Sequence, residues 1–326
     1  MTTTRTMAPS EIKVHLAAVE LNGTSSNSAQ LRKIVRSGGG VLLDKDGVFT
    51  RIDGQLEAAL VQEFRMHGDI GRGISYGFDR DLVYKLFGID PRYNDGPTPI
   101  LALMALNLEA AQMGGKTTAN HLLARALKSA HASDILDALI AKHSEGERQF
   151  VEDHMYWWRE NGGFMHRPDA ASFIQPYVAS NGISSRDAAI ALVLAGIPVA
   201  IITNAPKHDL HAAGFTPEDL EVRVTTKGVY EEGKIMVLTR EDFGVERMKP
   251  DPYAFHYAAG LMGVSVERSI YVGDTISDIR FARNAGAIPV AVESGMGSKV
   301  HLEKEFAQVM IFPDLPTVAA GLLRES

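Results

Sequence analysis

Four carboxylates, a hydroxyl, a carboxamide and an ammonium group stand in this sequence close to points where short apolar runs stop. VLLD (41–44) ends in Asp44, with Asp46 two residues on. PVAIIT (198–203) ends in Thr203, followed by Asn204. SIYVGD (269–274) ends in Asp274, with Asp278 four residues later, and Lys249 sits in MKPDP (248–252). Clustered carboxylates without cysteine or histidine suit a hard, oxygen-seeking cation such as Mg²⁺. A carboxylate can attack phosphorus and form an aspartyl-phosphate. A second carboxyl can serve as general acid and base. A hydroxyl, backbone amides and a lysine can hold phosphoryl oxygens as charge develops on them. Taken singly, each signal has an ordinary reading. Asp-Gly after a strand is usually a turn, Thr-Asn a cap, and GDTISD the start of a helix. Their joint occurrence in this order is what lifts the catalytic reading.

The elements that must position these groups are legible in outline. Gly38-Gly39-Gly40 breaks the chain before VLLD, and Asp46-Gly47 closes it, so VLLD reads as a buried strand. Beyond about residue 180, helical and strand patterns alternate. SSRDAAIALVLAG leads to PVAIIT, DPYAFHYAAGLMG to SIYVGD, SDIRFARNAG to IPVAV, and VMIF to PTVAAGLL. Such alternation implies a parallel sheet covered on both faces, with ligands beyond the carboxyl ends of the strands. Between about 57 and 177, apolar residues recur at three- and four-residue spacing, as in PILALMALNLEAAQM and TTANHLLARALKSA. These segments predict amphipathic helices with no clear strand among them. The expected fold is therefore α/β: a Rossmann-like parallel core with helices on both faces, interrupted after its first strand by a large helical insert. The expected divisions are an N-terminal extension at 1–38, core at 39–56, helical cap at 57–177 and core again at 178–326. The extension reads as a flexible arm or a short element packed on the body.

Composition limits the partners. Of 326 residues, 45% are hydrophobic, enough for a sizeable core, and the net charge of −7 gives no basic excess for nucleic acid. The absence of cysteine excludes disulfides, thiolate metal sites and a cysteine nucleophile. No apolar run approaches the roughly 20 residues of a membrane span, and MTTTRTMAPS lacks a secretory layout. A cytoplasmic protein without membrane or nucleic-acid partners is expected.

DKDGV (44–48), ITN (202–204), KPDP (249–252) and GDTISD (273–278) resemble the four motifs of the haloacid dehalogenase superfamily of hydrolases. They are most similar to the subgroup with a helical cap after the first motif, typified by phosphoglycolate phosphatases and β-phosphoglucomutases. The resemblance covers about 39–56 and 178–326. It implies that Asp44 is the nucleophile and that Asp46 is the general acid and base, its backbone carbonyl also meeting the metal. It implies that Thr203 holds the phosphoryl group with Asn204 beside it, and that Lys249 steadies nucleophile and phosphoryl. Asp274 would be a direct Mg²⁺ ligand and Asp278 a second supporting acid. The acid at Asp46 favours a phosphate ester or anhydride over a carbon–halogen bond. The expected activity is a Mg²⁺-dependent phosphatase for a small phosphorylated metabolite. A phosphomutase is the enzymatic alternative, and a non-catalytic binding protein the alternative of another class.

Three features depart from the pattern. Lys45 stands where many relatives carry an apolar residue. The stretch between Thr203 and Lys249 is long and holds the competing Lys227 and Lys234. Asp44 and Thr203 lie 159 residues apart, which implies a large cap. Within it, GDIGRGISYG offers Arg72 and QMGGKTTANH offers Lys116 as contacts for an anionic substrate, though solvated loop residues would look the same. GGKTT is no P-loop, since Ala110 occupies the leading glycine position. His154, Tyr156, Trp157, Trp158 and His166 read as cap core, and His208 and His211 as surface histidines lacking a third ligand. MGSKVHLEKEF (296–306) reads as a solvated amphipathic segment.

Overall fold

A computed structural model describes residues 11, 15–16, 19, 25–51, 78–93, 98–114, 117–142, 175–205, 207, 230–306 and 309–324. Two compact units emerge: one from residues 1–51, 174–295 and 308–326, the other from 52–173 and 296–307.

The first unit is built on a six-stranded parallel sheet. Its strands are β1 (Val41–Leu43), β4 (Val199–Ile202), β5 (Ile235–Leu238), β6 (Ile270–Gly273), β7 (Ile288–Val292) and β8 (Met310–Phe312). The order across the sheet is β5-β4-β1-β6-β7-β8. β1 is central: Leu42 lies opposite Ala200 on one side and Tyr271 on the other. Every residue of β1, β4, β5 and β6 is buried, which explains why these runs carry no polar alternation.

Successive side chains go to opposite faces. Val41, Leu43, Val199, Ile201, Ile270 and Val272 join one apolar cluster, which also takes in residues of α1 (Ser25–Val35), α6 (Ser185–Leu194) and α11 (Leu315–Leu323). Leu42, Ala200, Ile202 and Tyr271 join the other, with residues of α8 (Tyr253–Met262) and α9 (Ile276–Ala285).

Several details differ from the sequence reading. β5 is an edge strand hidden in the long stretch before Lys249, and the short helix α7 (Arg240–Phe243) follows it. β3 (Gln175–Pro176) lies at the end of the region expected to be free of strands and pairs antiparallel with β2 (Thr50–Arg51). Of the two readings of the N-terminal segment, the packed element holds for α1: Leu31 and Val35 are buried, and Arg32 Nε donates to Gly321 O of α11 at 3.1 Å.

The second unit contains α2 (Arg80–Leu86), α3 (Thr98–Gln112), α4 (Ala119–Leu127) and α5 (Ala132–Ile140), with α10 (Lys299–Glu305) added from beyond β7. Its core joins Leu86, Tyr93, Leu103, Leu106, Leu123 and Leu136. Thr118 caps α4 through its hydroxyl. The segment expected to be solvated buries His301 and Leu302, and His301 Nε2 lies 3.1 Å from Ser129 O. Among the described residues, no helix is long and apolar enough to cross a membrane.

Candidate active site

Parallel pairing brings the ends of β4, β1 and β6 side by side, so the polar residues that follow them converge. The Asp44 amide donates to Val272 O at 2.9 Å, which seats Asp44 at the carboxyl edge of β1. The Thr203 amide does the same with Leu238 O at 3.0 Å. Asp274 follows β6 directly, and Asp278 lies in the first turn of α9.

Beyond Asp44 the chain turns tightly. The amides of Phe49 and Thr50 donate to Lys45 O at 2.9 and 2.8 Å, and Gly47, at φ 80°, donates to Thr50 O. This loop holds Asp46: its Oδ1 accepts from Thr50 Oγ1 at 3.1 Å and lies 3.0 Å from Lys45 Nζ. Lys45, at an apolar position of the expected pattern, is 2% exposed and is paired through this contact.

Lys249 reaches the acids. Its Nζ donates to Asp44 Oδ1 at 2.6 Å, to Asp278 Oδ1 at 2.7 Å and to Tyr271 Oη at 3.1 Å. Its backbone is held by Asn204, whose Oδ1 accepts from Lys249 N at 2.9 Å and whose Nδ2 donates to Lys249 O at 3.4 Å. Thr203 Oγ1 accepts from Ala205 N at 3.0 Å, which shapes the loop after β4. Of the competing lysines, Lys234 pairs with Glu231, and Lys227 lies outside the described residues.

Asp278 combines the helix-start and site readings of GDTISD. Its Oδ2 accepts from Thr275 N and Oγ1 at 3.1 and 2.7 Å, while Thr275 Oγ1 accepts from Asp278 N at 3.3 Å. This reciprocal cap starts α9 and leaves Oδ1 turned to Lys249.

One carboxylate oxygen from each of Asp44, Asp274 and Asp278 can be chosen so that the three lie within 4.8 Å of one another. Asp274 is 0% and Asp278 1% exposed. Glycine makes room for the Asp274 carboxylate: a Cβ on Gly47 or Gly295 would overlap it. The Asp46 carboxylate is not part of this trio.

Buried acids crowd this site. Lys249 pairs with Asp44 and Asp278, Lys45 pairs with Asp46, and Asp274 joins Asp44 and Asp278 in the buried trio. Burial pushes Asp44 up from 3.8 to about 7; Lys249 opposes this, and Asp278 and Asp46 add to it. Burial disfavours charge on Lys249, yet the carboxylates of Asp278 and Asp44 hold it well above its ordinary value. Three buried carboxylates whose oxygens lie within 4.8 Å of one another fit a hard, oxygen-seeking cation.

Tyr271 escaped the sequence reading. It sits mid-strand in SIYVGD, and its only sequence signal is a hydroxyl within an otherwise apolar run. Arg72, Lys116, His208, His211 and the aromatic run at 154–166 lie outside the described residues.

A family profile of haloacid dehalogenase-like hydrolases matches residues 39–286. The chain is 26% identical over 224 residues to a phosphoglycolate phosphatase of Neisseria meningitidis, covering 68% of this chain and 84% of that one. It is 32% identical over 153 residues to a D-glycero-β-D-manno-heptose-1,7-bisphosphate 7-phosphatase of Pseudomonas putida, covering 43% of this chain and 82% of that one. Among solved structures, a β-phosphoglucomutase of Clostridium difficile is similar at 14% identity and a TM-score of 0.40, covering 85% of this chain and 91% of that one.

Proposed function

The chain belongs to the haloacid dehalogenase-like hydrolases, as a phosphoric monoester hydrolase, and on that premise we propose that it hydrolyses a small phosphorylated metabolite through an aspartyl-phosphate on Asp44. The observation that carries this reading is the bridge by Lys249 from Asp44 to Asp278 inside a buried trio of aspartates.

Asp44, Asp274 and Asp278, with the Asp46 backbone carbonyl, would hold Mg²⁺, which supplies positive charge to the phosphoryl oxygens and to the acids themselves. An Asp44 carboxylate oxygen attacks phosphorus as the bond from phosphorus to the leaving oxygen breaks. Asp46 gives its proton to that oxygen. Water then attacks the same phosphorus, Asp46 takes the proton, and phosphate leaves as the Asp44 carboxylate is restored. Among the described residues, the contacts from Lys45 and Thr50 meet on one Asp46 oxygen, and the other would carry this transfer. Lys249 keeps a positive charge beside the developing negative charge, and Thr203 supplies a hydroxyl at the end of β4. Asn204 fixes the loop that carries Lys249. Arg72 and Lys116 complete the proposal as contacts for the substrate's leaving group.

Two measurements test this reading together. Phosphate release is followed over a panel of phosphorylated metabolites with Mg²⁺, for the native protein and Asp44→Asn. The reading requires turnover of at least one small phosphomonoester by the native protein, lost on chelation and lost in Asp44→Asn. Turnover that survives either change contradicts it.

A further inference from the structure

The geometry points to Tyr271 as a positioning residue for phosphoryl transfer, acting through Lys249; it rests on the catalytic reading of Lys249 given above. An ammonium has three N–H donors, and those of Lys249 have three acceptors: Asp44, Asp278 and Tyr271. Tyr271 is the neutral one of the three. Its own proton goes to Ile202 O at 3.2 Å, an acceptor only, so the phenol oxygen receives from Lys249. Ile202 is the last residue of β4, immediately before Thr203. One hydroxyl thus ties the head of Lys249 to the strand end that presents Thr203, while Asn204 holds the lysine backbone to the same loop.

The ring cannot drift. Tyr271 is fully buried on β6, with Phe281 edge-on at 4.8 Å between centroids and Phe255 at 6.2 Å. A phenylalanine would fill that space equally well, and a buried phenol carries a desolvation cost that its two hydrogen bonds offset. The hydroxyl is therefore superfluous to packing and serves the polar link from Lys249 to Ile202 O. When a phosphoryl group arrives, one N–H of Lys249 must turn from Asp44 towards it. Asp278 and Tyr271 remain as the two fixed points about which the head pivots. Without the phenol, the ammonium has one carboxylate anchor and leans towards it.

The test uses the full chain with Mg²⁺ and p-nitrophenyl phosphate, and compares Tyr271→Phe, Lys249→Met, the double variant and a packing control on the opposite face of the sheet, Leu322→Ala. Tyr271→Phe is expected to keep KM and the Mg²⁺ requirement and to lower kcat roughly tenfold, in line with loss of one hydrogen bond to a charged group. In the Lys249→Met background the same change is expected to do nothing further, as required of residues acting in one unit. Leu322→Ala is expected to lower Tm and leave kcat unchanged. An unchanged kcat in Tyr271→Phe, or an equal drop in both backgrounds, overturns the proposal. Where turnover of Lys249→Met falls below detection, vanadate decides: its Ki for Tyr271→Phe rises by the factor lost in kcat, and an unmoved Ki overturns the proposal. Native-like turnover by Lys249→Met would remove the underlying reading of the lysine instead, a result distinct from a normal Tyr271→Phe beside an inactive Lys249→Met.

Discussion

Thr275 and Asp278 close a reciprocal cap on α9 in which Asp278 spends one carboxylate oxygen on the helix and offers the other to Lys249. The helix start and the site therefore share one side chain, and the two duties separate by substitution. Asp278→Asn keeps an oxygen for the Thr275 amide and removes one of three crowded negative charges. It is expected to raise the Mg²⁺ concentration for half-maximal activity at least tenfold, while the metal-free fold persists at a lower Tm because Lys249 loses one of its two carboxylate partners. Thr275→Ala is expected to lower Tm through loss of about 1 kcal/mol of capping. Mg²⁺ titrations of activity beside metal-free melting curves check both; a collapsed fold in Asp278→Asn would contradict the division.

Gly295 gives the second prediction. A Cβ there overlaps the Asp274 carboxylate, so Gly295→Ala must displace the acid. Mg²⁺ affinity is expected to fall about tenfold or more, with the α/β core intact because the displaced group is at the sheet's edge and not within it. Calorimetric Mg²⁺ titration and far-UV circular dichroism check this; native affinity would show that Asp274 is not held as described.

A third prediction concerns pH. Asp44 ordinarily ionises near 3.8, but burial moves it to about 7 in the metal-free fold. The folded protein then keeps a proton that the unfolded chain has released, so this group's contribution to stability is greatest below 3.8 and is lost as pH rises to about 7. The metal-free Tm of the native protein is expected to fall relative to Asp44→Asn across that window. Mg²⁺ is expected to restore it, more so at the upper end. Parallel pH profiles of the two proteins would contradict the burial argument.

The residues that stop the apolar runs were legible because parallel strands present their carboxyl ends to one edge. Asp44, Thr203 and Asp274 needed only the end of a run to be placed, and the structure brings their strands together in the order β4-β1-β6. Other features were not legible. IMVL of β5 is flanked by EEGK and TRED and pairs on one side, so its four residues carried little signal. The polar 1–37 region left a flexible arm and a packed element equally open, and the burial of Leu31 and Val35 decides for the packed element over Ser25–Val35. Tyr271 was hidden for a geometric reason: a run buried on both faces does not reveal which face each residue takes, and only the alternation with Ile270 and Val272 turns its hydroxyl towards Lys249. Lys45 was read as an oddity of the pattern, and its pairing with Asp46 supplies the reason.

Attack on phosphorus and proton transfer fall to different side chains, Asp44 and Asp46, and substitution separates them. Asp46→Asn leaves the attacking carboxylate and removes the proton donor and later base. An alkyl phosphate, with a poor leaving group, is expected to slow by roughly 10²–10⁴-fold. An aryl phosphate with an acidic phenol is expected to react readily in the first step and stall in the second. The decisive measurement is rapid mixing of Asp46→Asn with such an aryl phosphate, followed by intact-protein mass analysis. A burst of phenol with one phosphoryl group retained on the protein, and neither in Asp44→Asn, is the predicted result. A phosphoenzyme in Asp44→Asn would contradict the account.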